Sequence, residues 1–282
     1  MASATKSRRP DPVRVWWTLV AAAVAVLFFY PVFLAISTSM KSQDEIIESP
    51  LGLPQTISFD AYRDAWTSVG FGALLGNSAL YALAGSAIGL VLAILPAFAI
   101  TRLRIFGART LFIVLLTTLM LPPQTVIIPL YDLLADLHLL NTKLGLVVVH
   151  GIYSMSFEML FLAGFMASLP RELEEAARSE GCGDGRLLRY IVVPLCAPAM
   201  AVAFTLNFVL IWKDLIFALT FVSAESDQPV TTGLIKFTTA QYFTEFSLPA
   251  AAVVMSQLPI VVVFLVAYRW IRQGLYVGAV KA

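Results

Sequence analysis

The sequence predicts an all-α integral membrane protein of six transmembrane helices, and three observations carry that prediction. Of the 282 residues, 59% are hydrophobic and 13% charged, with a mean hydropathy of +0.82, a balance outside the range of water-soluble domains. Six apolar runs, at about 16–39, 73–101, 108–130, 144–168, 191–222 and 250–271, are each long enough to cross a hydrocarbon core of roughly 30 Å as a helix. The basic residues are unevenly shared between the connections: fourteen of the 19 lie at the two termini and in the second and fourth connections, four lie in the other connections, and Lys213 falls inside a run. Because positive charge is retained on the inner side, this distribution places both termini in the cytoplasm.

In chain order, residues 1–15 read as a basic cytoplasmic tail and residues 16–282 as the membrane domain. The first run opens with Trp16 and Trp17 and lacks a small-residue cleavage site, so it reads as a retained helix rather than a signal peptide. In the external segment that follows, Phe59, Tyr62, Ala65 and Trp66 recur at helical spacing, predicting an amphipathic helix at the outer interface. The second span carries Asn77 and Ser78 near its outer end, then Ala82, Ala84, Gly85, Ser86 and Gly89. Such small residues let helix backbones meet in lipid, where packing replaces the hydrophobic effect. Asn77 reads either as part of a translocation path or as a bond between helices.

The third span is interrupted by Pro122 and Pro123. Proline removes a donor and frees a carbonyl, and backbone unwound at this depth needs protein or a cavity beside it. Gln124 is the polar candidate there. The fourth span holds Glu158, a costly group among apolar residues that demands a partner, with Lys213 as the candidate. The fifth holds Asn207 and then Lys213 and Asp214, which diverge around a helix and would need separate partners. His138 and His150 stand apart from other metal-binding residue types, so no metal site is expected. Cys182 and Cys196 make no disulfide framework.

Residues 169–190 form the longest charged interval between two apolar runs. Pro170 ends the preceding helix. Glu172, Glu174 and Glu175 then suit the positive end of a new one, with Ser168 as its candidate N-cap. Leu173, Ala176, Ala177 and Glu180 share helical spacing, ringed by Arg171, Glu175 and Arg178, giving a small apolar face that another protein can approach closely. Gly181, Gly183 and Gly185 are expected to end this helix.

The spacing Glu175-Ala176-Ala177, three residues, Gly181, nine residues, Ile191-Val192-Val193-Pro194 is similar to the loop E-A-A-x3-G-x9-I-x-L-P of permease subunits of binding-protein-dependent ABC importers. Val193 replaces Leu, and Glu180 stands where Asp is common. Met120 through Pro129, Leu139-Leu140-Asn141-Thr142 and the tail from Gly274 to Lys281 resemble the carbohydrate-uptake branch. Trp212-Lys213-Asp214-Leu215 departs from the Trp-Asn-Glu-Phe common in that branch, so substrate contacts do not transfer simply.

The resemblance implies a type I ABC importer permease (MetI-like) fold in a bacterial or archaeal cytoplasmic membrane. It implies that Leu173, Glu175, Ala176, Ala177, Arg178, Glu180 and Gly181 belong to a coupling helix that docks on a dimer of ATP-binding subunits. Further partners would be a second, different permease chain, an extracytoplasmic solute-binding protein and lipid, with no nucleic acid. ATP and Mg would belong to the ATPase, leaving this chain without a cofactor or enzymatic activity of its own. The sequence itself has no Gly-Lys pair and hence no G-x-x-x-x-G-K-[ST] phosphate loop, and neither H-E-x-x-H nor G-x-S-x-G. The expected solute is a sugar or oligosaccharide. A glycerol-phosphate-type solute and a self-sufficient ion-coupled transporter are the alternatives.

Overall fold

A computed structural model describes residues 12–68, 70–103, 105–237 and 245–279. Lys6, Arg8, Arg9, Arg104 and Lys281, which enter the charge distribution, and Gln241 and Tyr242 of the last loop lie outside the described residues. Two units divide the chain: residues 1–65 with 237–255, and residues 66–236 with 256–282.

In the first unit, helix α1 (Pro12–Ser39) is apolar along its length and buries none of its span-length window within the chain. It begins before residue 16, so residues 12–15 belong to the helix and not to the expected tail. Pro12 fits there because the first helical position has no amide bond to lose. After α1 the chain is laced to itself. Lys41 Nζ donates to Ser49 O at 2.8 Å, Ser58 N to Met40 O at 3.0 Å, and the Ser39 and Tyr62 hydroxyls meet at 2.6 Å. Short α2 (Gln43–Glu48) is capped by Ser42, whose hydroxyl accepts from Glu45 N, and the Glu45 carboxylate accepts from Gln55 N. Helix α3 (Asp60–Ser68) matches the predicted amphipathic element, with Ala65 fully buried.

The second unit is built on α4 (Phe71–Arg102), α7 (Lys143–Ser168) and α10 (Val193–Trp212). Its core gathers Ala93, Ala97, Phe98, Met159, Leu162, Met166, Val192 and Cys196. Close approach of α4 to α7 depends on glycine. A Cβ at Gly85 would stand 2.9 Å from His150 Cβ, and one at Gly89 would stand 2.8 Å from Ser154 Cβ. These small residues act as the packing surface expected of them in lipid.

The third apolar run, 108–130, is not one straight helix. Helix α5 (Ala108–Met120) and α6 (Pro123–Asp136) meet at a 100° bend. Two successive prolines lack the donors that would continue the ladder, and the Leu121 carbonyl left at the break accepts from Tyr153 OH at 3.1 Å. Among the described residues, five helices are therefore long and apolar enough to cross a membrane, or six spans result if the bent pair counts as one.

The fifth span is displaced from the expected 191–222. After a separate short α8 (Glu172–Ser179), Asp184–Trp212 runs as one 29-residue length, from α9 (Asp184–Leu187) through a π turn at Leu188–Val192 into α10. Pro194 explains the π turn. With no N–H to offer Tyr190, the ladder slips by one residue, and Val193 N bonds Leu188 O instead. The far end stops at Trp212 because the Asp214 carboxylate accepts from Phe217 N at 3.4 Å and Ala218 N at 3.2 Å, nucleating a separate α11 (Ile216–Phe221). A 3₁₀ turn at Glu225–Asp227 and α12 (Val230–Lys236) follow. The chain closes with α13 (Ser247–Ala279), whose apolar span covers Ser247–Tyr268.

Candidate functional site

Within residues 169–190, Leu169 precedes Pro170 and is held extended at φ −71°, ψ 140°. The chain cannot turn helical before Arg171. Ser168 consequently does not cap α8: its hydroxyl folds back to Phe165 O at 2.7 Å, and Arg171 takes the N-cap position without a side-chain bond. Glu172, Glu174 and Glu175 occupy the first turn as expected, where their charge complements the helix dipole.

The end of α8 is a Schellman arrangement. Cys182 N donates to Ala177 O and Gly181 N to Arg178 O, both at 3.0 Å, with Gly181 at φ +79°. Of the three glycines, only Gly181 terminates the helix. Gly183 precedes α9 at an ordinary φ of −76°, and Gly185 lies inside α9. Arg178 braces the turn through Asp184 at 2.7 Å, and Arg186 Nη2 donates to Gly181 O at 3.3 Å.

Leu173, Glu175, Ala176, Arg178 and Glu180 are exposed, while Ala177 is half-buried against the chain's own core. The outward face of α8 is therefore Leu173 and Ala176 framed by Glu172 and Glu175. Behind it, Arg102 Nε reaches Glu174 Oε1 at 2.6 Å, with the two side chains 3% and 10% exposed. That approach is an ionic contact without the alignment of a hydrogen bond. The same guanidinium donates through Nη2 to Met166 O and to Leu169 O. A cleft of about 300 Å³ opens beside this cluster, lined by Arg102, Arg171, Glu174, Glu175, Arg178 and Asp184 among others. Arg102 entered the sequence reading only as one positive charge in a connection.

The second group lies deeper. Glu158 is fully buried and pairs with Asn207, whose Nδ2 donates to Glu158 Oε1 at 3.2 Å. Lys213, the expected partner, is exposed beyond the end of α10. Because α10 stops at Trp212, the charge intended for Glu158 leaves the helix before it can turn inward. Glu158 Oε2 faces Gly89, whose missing side chain makes its room.

A cavity of about 220 Å³ brings Asn207 together with Asp214, His150, Tyr153, Phe157 and Phe217. His150 Nε2 stands 3.8 Å from Asp214 Oδ2. Phe217 takes both the His150 and Tyr153 rings edge-on, at centroid distances of 5.8 and 5.4 Å. The sequence reading set His150 aside as isolated, yet the fold pairs it with Asp214.

Two candidates for the path lie elsewhere. Gln124 is exposed in the first turn of α6. Asn77 is a clamp: its Nδ2 donates to Ser226 O at 2.8 Å and Gln228 O at 3.0 Å, beside Tyr81 OH on Asp227 O at 2.6 Å and Val230 N on Ser78 Oγ at 2.8 Å. Asn77→Ala removes two bonds worth roughly 1 kcal/mol each and is expected to speed proteolysis within 223–230 while leaving the thermal midpoint within a few degrees. Limited digestion followed by mass spectrometry reads this directly.

The profile of the family described as binding-protein-dependent transport system inner membrane component matches residues 85–276. The chain is 30% identical to the trehalose transport system permease protein SugB of Mycobacterium tuberculosis, over 94% of this chain and 97% of that one. It is 30% identical to the melibiose/raffinose/stachyose import permease protein MelC of Bacillus subtilis, over 94% and 95%. It is 28% identical to the diacetylchitobiose uptake system permease protein NgcG of Streptomyces coelicolor, over 91% and 85%. Its fold matches a chain of the bacterial ABC transporter that imports the acidic polysaccharide alginate with a TM-score of 0.79, at 22% identity, covering 94% of this chain and 100% of that one.

Proposed function

Because the chain belongs to the binding-protein-dependent transport system inner membrane component family, we propose that it is the permease subunit through which an ATP-driven importer moves a sugar or oligosaccharide. Both termini and residues 169–190 lie in the cytoplasm in this reading, following the charge distribution. A dimer of ATP-binding subunits supplies the energy, a second permease chain completes the pathway, and an extracytoplasmic solute-binding protein delivers the solute.

The observation that carries the reading is mechanical. Helix α8 presents Leu173 and Ala176 outward between Glu172 and Glu175, and a glycine-dependent turn joins it to a helix that continues without interruption from Asp184 to Trp212. Displacement of α8 by a docked ATPase is thereby delivered to the far end of α10, where Asn207 and Asp214 line the cavity. A bundle with two packed arrangements, each binding the ATPase differently, converts that displacement into alternating access.

The cavity also suits a sugar. Aromatic rings from Tyr153, Phe157 and Phe217 offer apolar faces to a pyranose, and Asn207, Asp214 and His150 offer a few directed polar groups. Asp214→Ala is expected to weaken solute uptake about tenfold or more, the scale of losing a hydrogen bond to a charged group. Initial uptake rates across a solute series, normalised to protein in the membrane, check it.

Extraction in mild detergent followed by affinity purification of this chain tests the assignment. The expected eluate contains an ATP-binding subunit and a second permease in fixed proportion. Recovery of this chain alone, from membranes in which the importer is active, would overturn it.

A further inference from the structure

We propose that Arg102 is a positioning residue that makes α4 and α7 move with α8, so that force received at the docking helix enters the bundle by two routes rather than one. The proposal rests on the coupling role assigned to α8 above. One route is already visible in the continuous helix from Asp184 to Trp212. The second runs through a single guanidinium.

Arg102 is the last residue of α4, and its side chain is 3% exposed. It meets three oxygens: Glu174 Oε1 on α8, in an ionic contact at 2.6 Å, and, as a hydrogen-bond donor through Nη2, the Met166 carbonyl of α7 and the Leu169 carbonyl just beyond its end. Those two carbonyls belong to the helix terminus, which leaves acceptors without intrahelical donors and favours a cation. Glu174 is in turn the only buried residue of α8. Its neighbours Glu172, Leu173, Glu175 and Ala176 all face outward, so the hold of α8 on the bundle passes through the Glu174 carboxylate, the half-buried Ala177 and the turn at Gly181.

A buried ion pair is weak ground for stability, since desolvation offsets much of the attraction. It is good ground for fixed geometry, because the planar guanidinium presents its donors in a rigid fork. The fork ties the tip of α4, the tip of α7 and the middle of α8 into one body. Further along the same two helices, Gly89 of α4 abuts Glu158 and Ser154 of α7, beside the cavity that holds Asn207 and Asp214.

The test uses the complete complex, purified with its ATPase and binding protein and reconstituted in liposomes, with ATP hydrolysis and solute accumulation measured in the same vesicles. Arg102→Gln and Glu174→Gln are expected to lower solute moved per ATP hydrolysed by about tenfold, within the usual range of coupling between sites, while hydrolysis by assembled complexes stays close to the unaltered level. Arg102→Lys keeps the charge opposite Glu174 but not the fork, and is expected to fall between. A ratio equal to that of the unaltered complex in both Gln variants overturns the proposal, including the case where both rates fall together with the amount of assembled complex. If Arg102→Gln does not assemble, Glu174→Gln alone decides, since it keeps an acceptor at the same place. Failure of the unaltered complex to show ATP-dependent accumulation removes the coupling role of α8 itself, and with it this proposal.

Discussion

Gly181→Val is expected to abolish ATP-dependent uptake while the protein still inserts in the membrane at a normal level. No neighbour obstructs a side chain here, since a Cβ at Gly181 meets nothing within 4 Å. The effect is confined to the backbone. At φ +79° an L-residue pays about 1–2 kcal/mol, and a β-branched one more. The chain escapes that strain by leaving the left-handed conformation, which breaks the bonds from Cys182 N to Ala177 O and from Gly181 N to Arg178 O. Helix α8 then loses its fixed direction relative to α9. Gly181→Asn, which tolerates the same conformation, is expected to keep most activity. Gly185→Ala, placed inside α9 with open space around it, is expected to be harmless. Uptake rate divided by membrane-inserted protein, across these three variants, separates backbone geometry from side-chain bulk.

Gly89→Val acts by the opposite mechanism and is expected to prevent stable folding. Its Cβ would lie 2.4 Å from Glu158 Oε2, 2.8 Å from Ser154 Cβ and 3.1 Å from Gly151 O. Three neighbours on one packed helix cannot all retreat, and one of them is backbone. Overpacking of about 1–3 kcal/mol is usual for one added group, and here it also pushes on Oε2 of the buried carboxylate whose other oxygen, Oε1, Asn207 bonds. Gly76→Ala on the same helix, with nothing within 4 Å, serves as control. Thermal unfolding in detergent should show Gly89→Val aggregated or melting at least several degrees lower, with Gly76→Ala unchanged.

Much of this was legible in the sequence. The span-length apolar helix α1 and the close-packing role of the small residues of α4 follow from residue type alone, because bilayer thickness and backbone approach depend on little else. The loop 169–190 was legible in part for the same reason, since Gly181 imposes the left-handed turn that ends α8; the π turn before Pro194 appeared only in the fold.

Partners distant in the chain were not legible. Lys213 looked like the partner of Glu158 because the apolar run continues past it, but the capping carboxylate of Asp214 ends α10 first, and Asn207 takes the role. Asn77 as a loop clamp and His150 as a neighbour of Asp214 depend on which helix faces cross, and periodicity does not specify that. Arg102 carried no local signal, since both of its bonded carbonyls are more than sixty positions away. The 100° elbow at Leu121 and Pro122 was foreshadowed by paired prolines, though only the fold showed that the run bends rather than crosses straight.

The central claim is that this chain is a gate driven from outside itself, through α8. Reconstitution in liposomes tests it most directly, comparing this chain by itself with the full complex of ATPase, second permease and binding protein, each with ATP and a labelled disaccharide or oligosaccharide. The account predicts accumulation against a gradient only in the full complex, lost when ATP or the ATP-binding subunit is withheld. Uphill accumulation by this chain alone would contradict it.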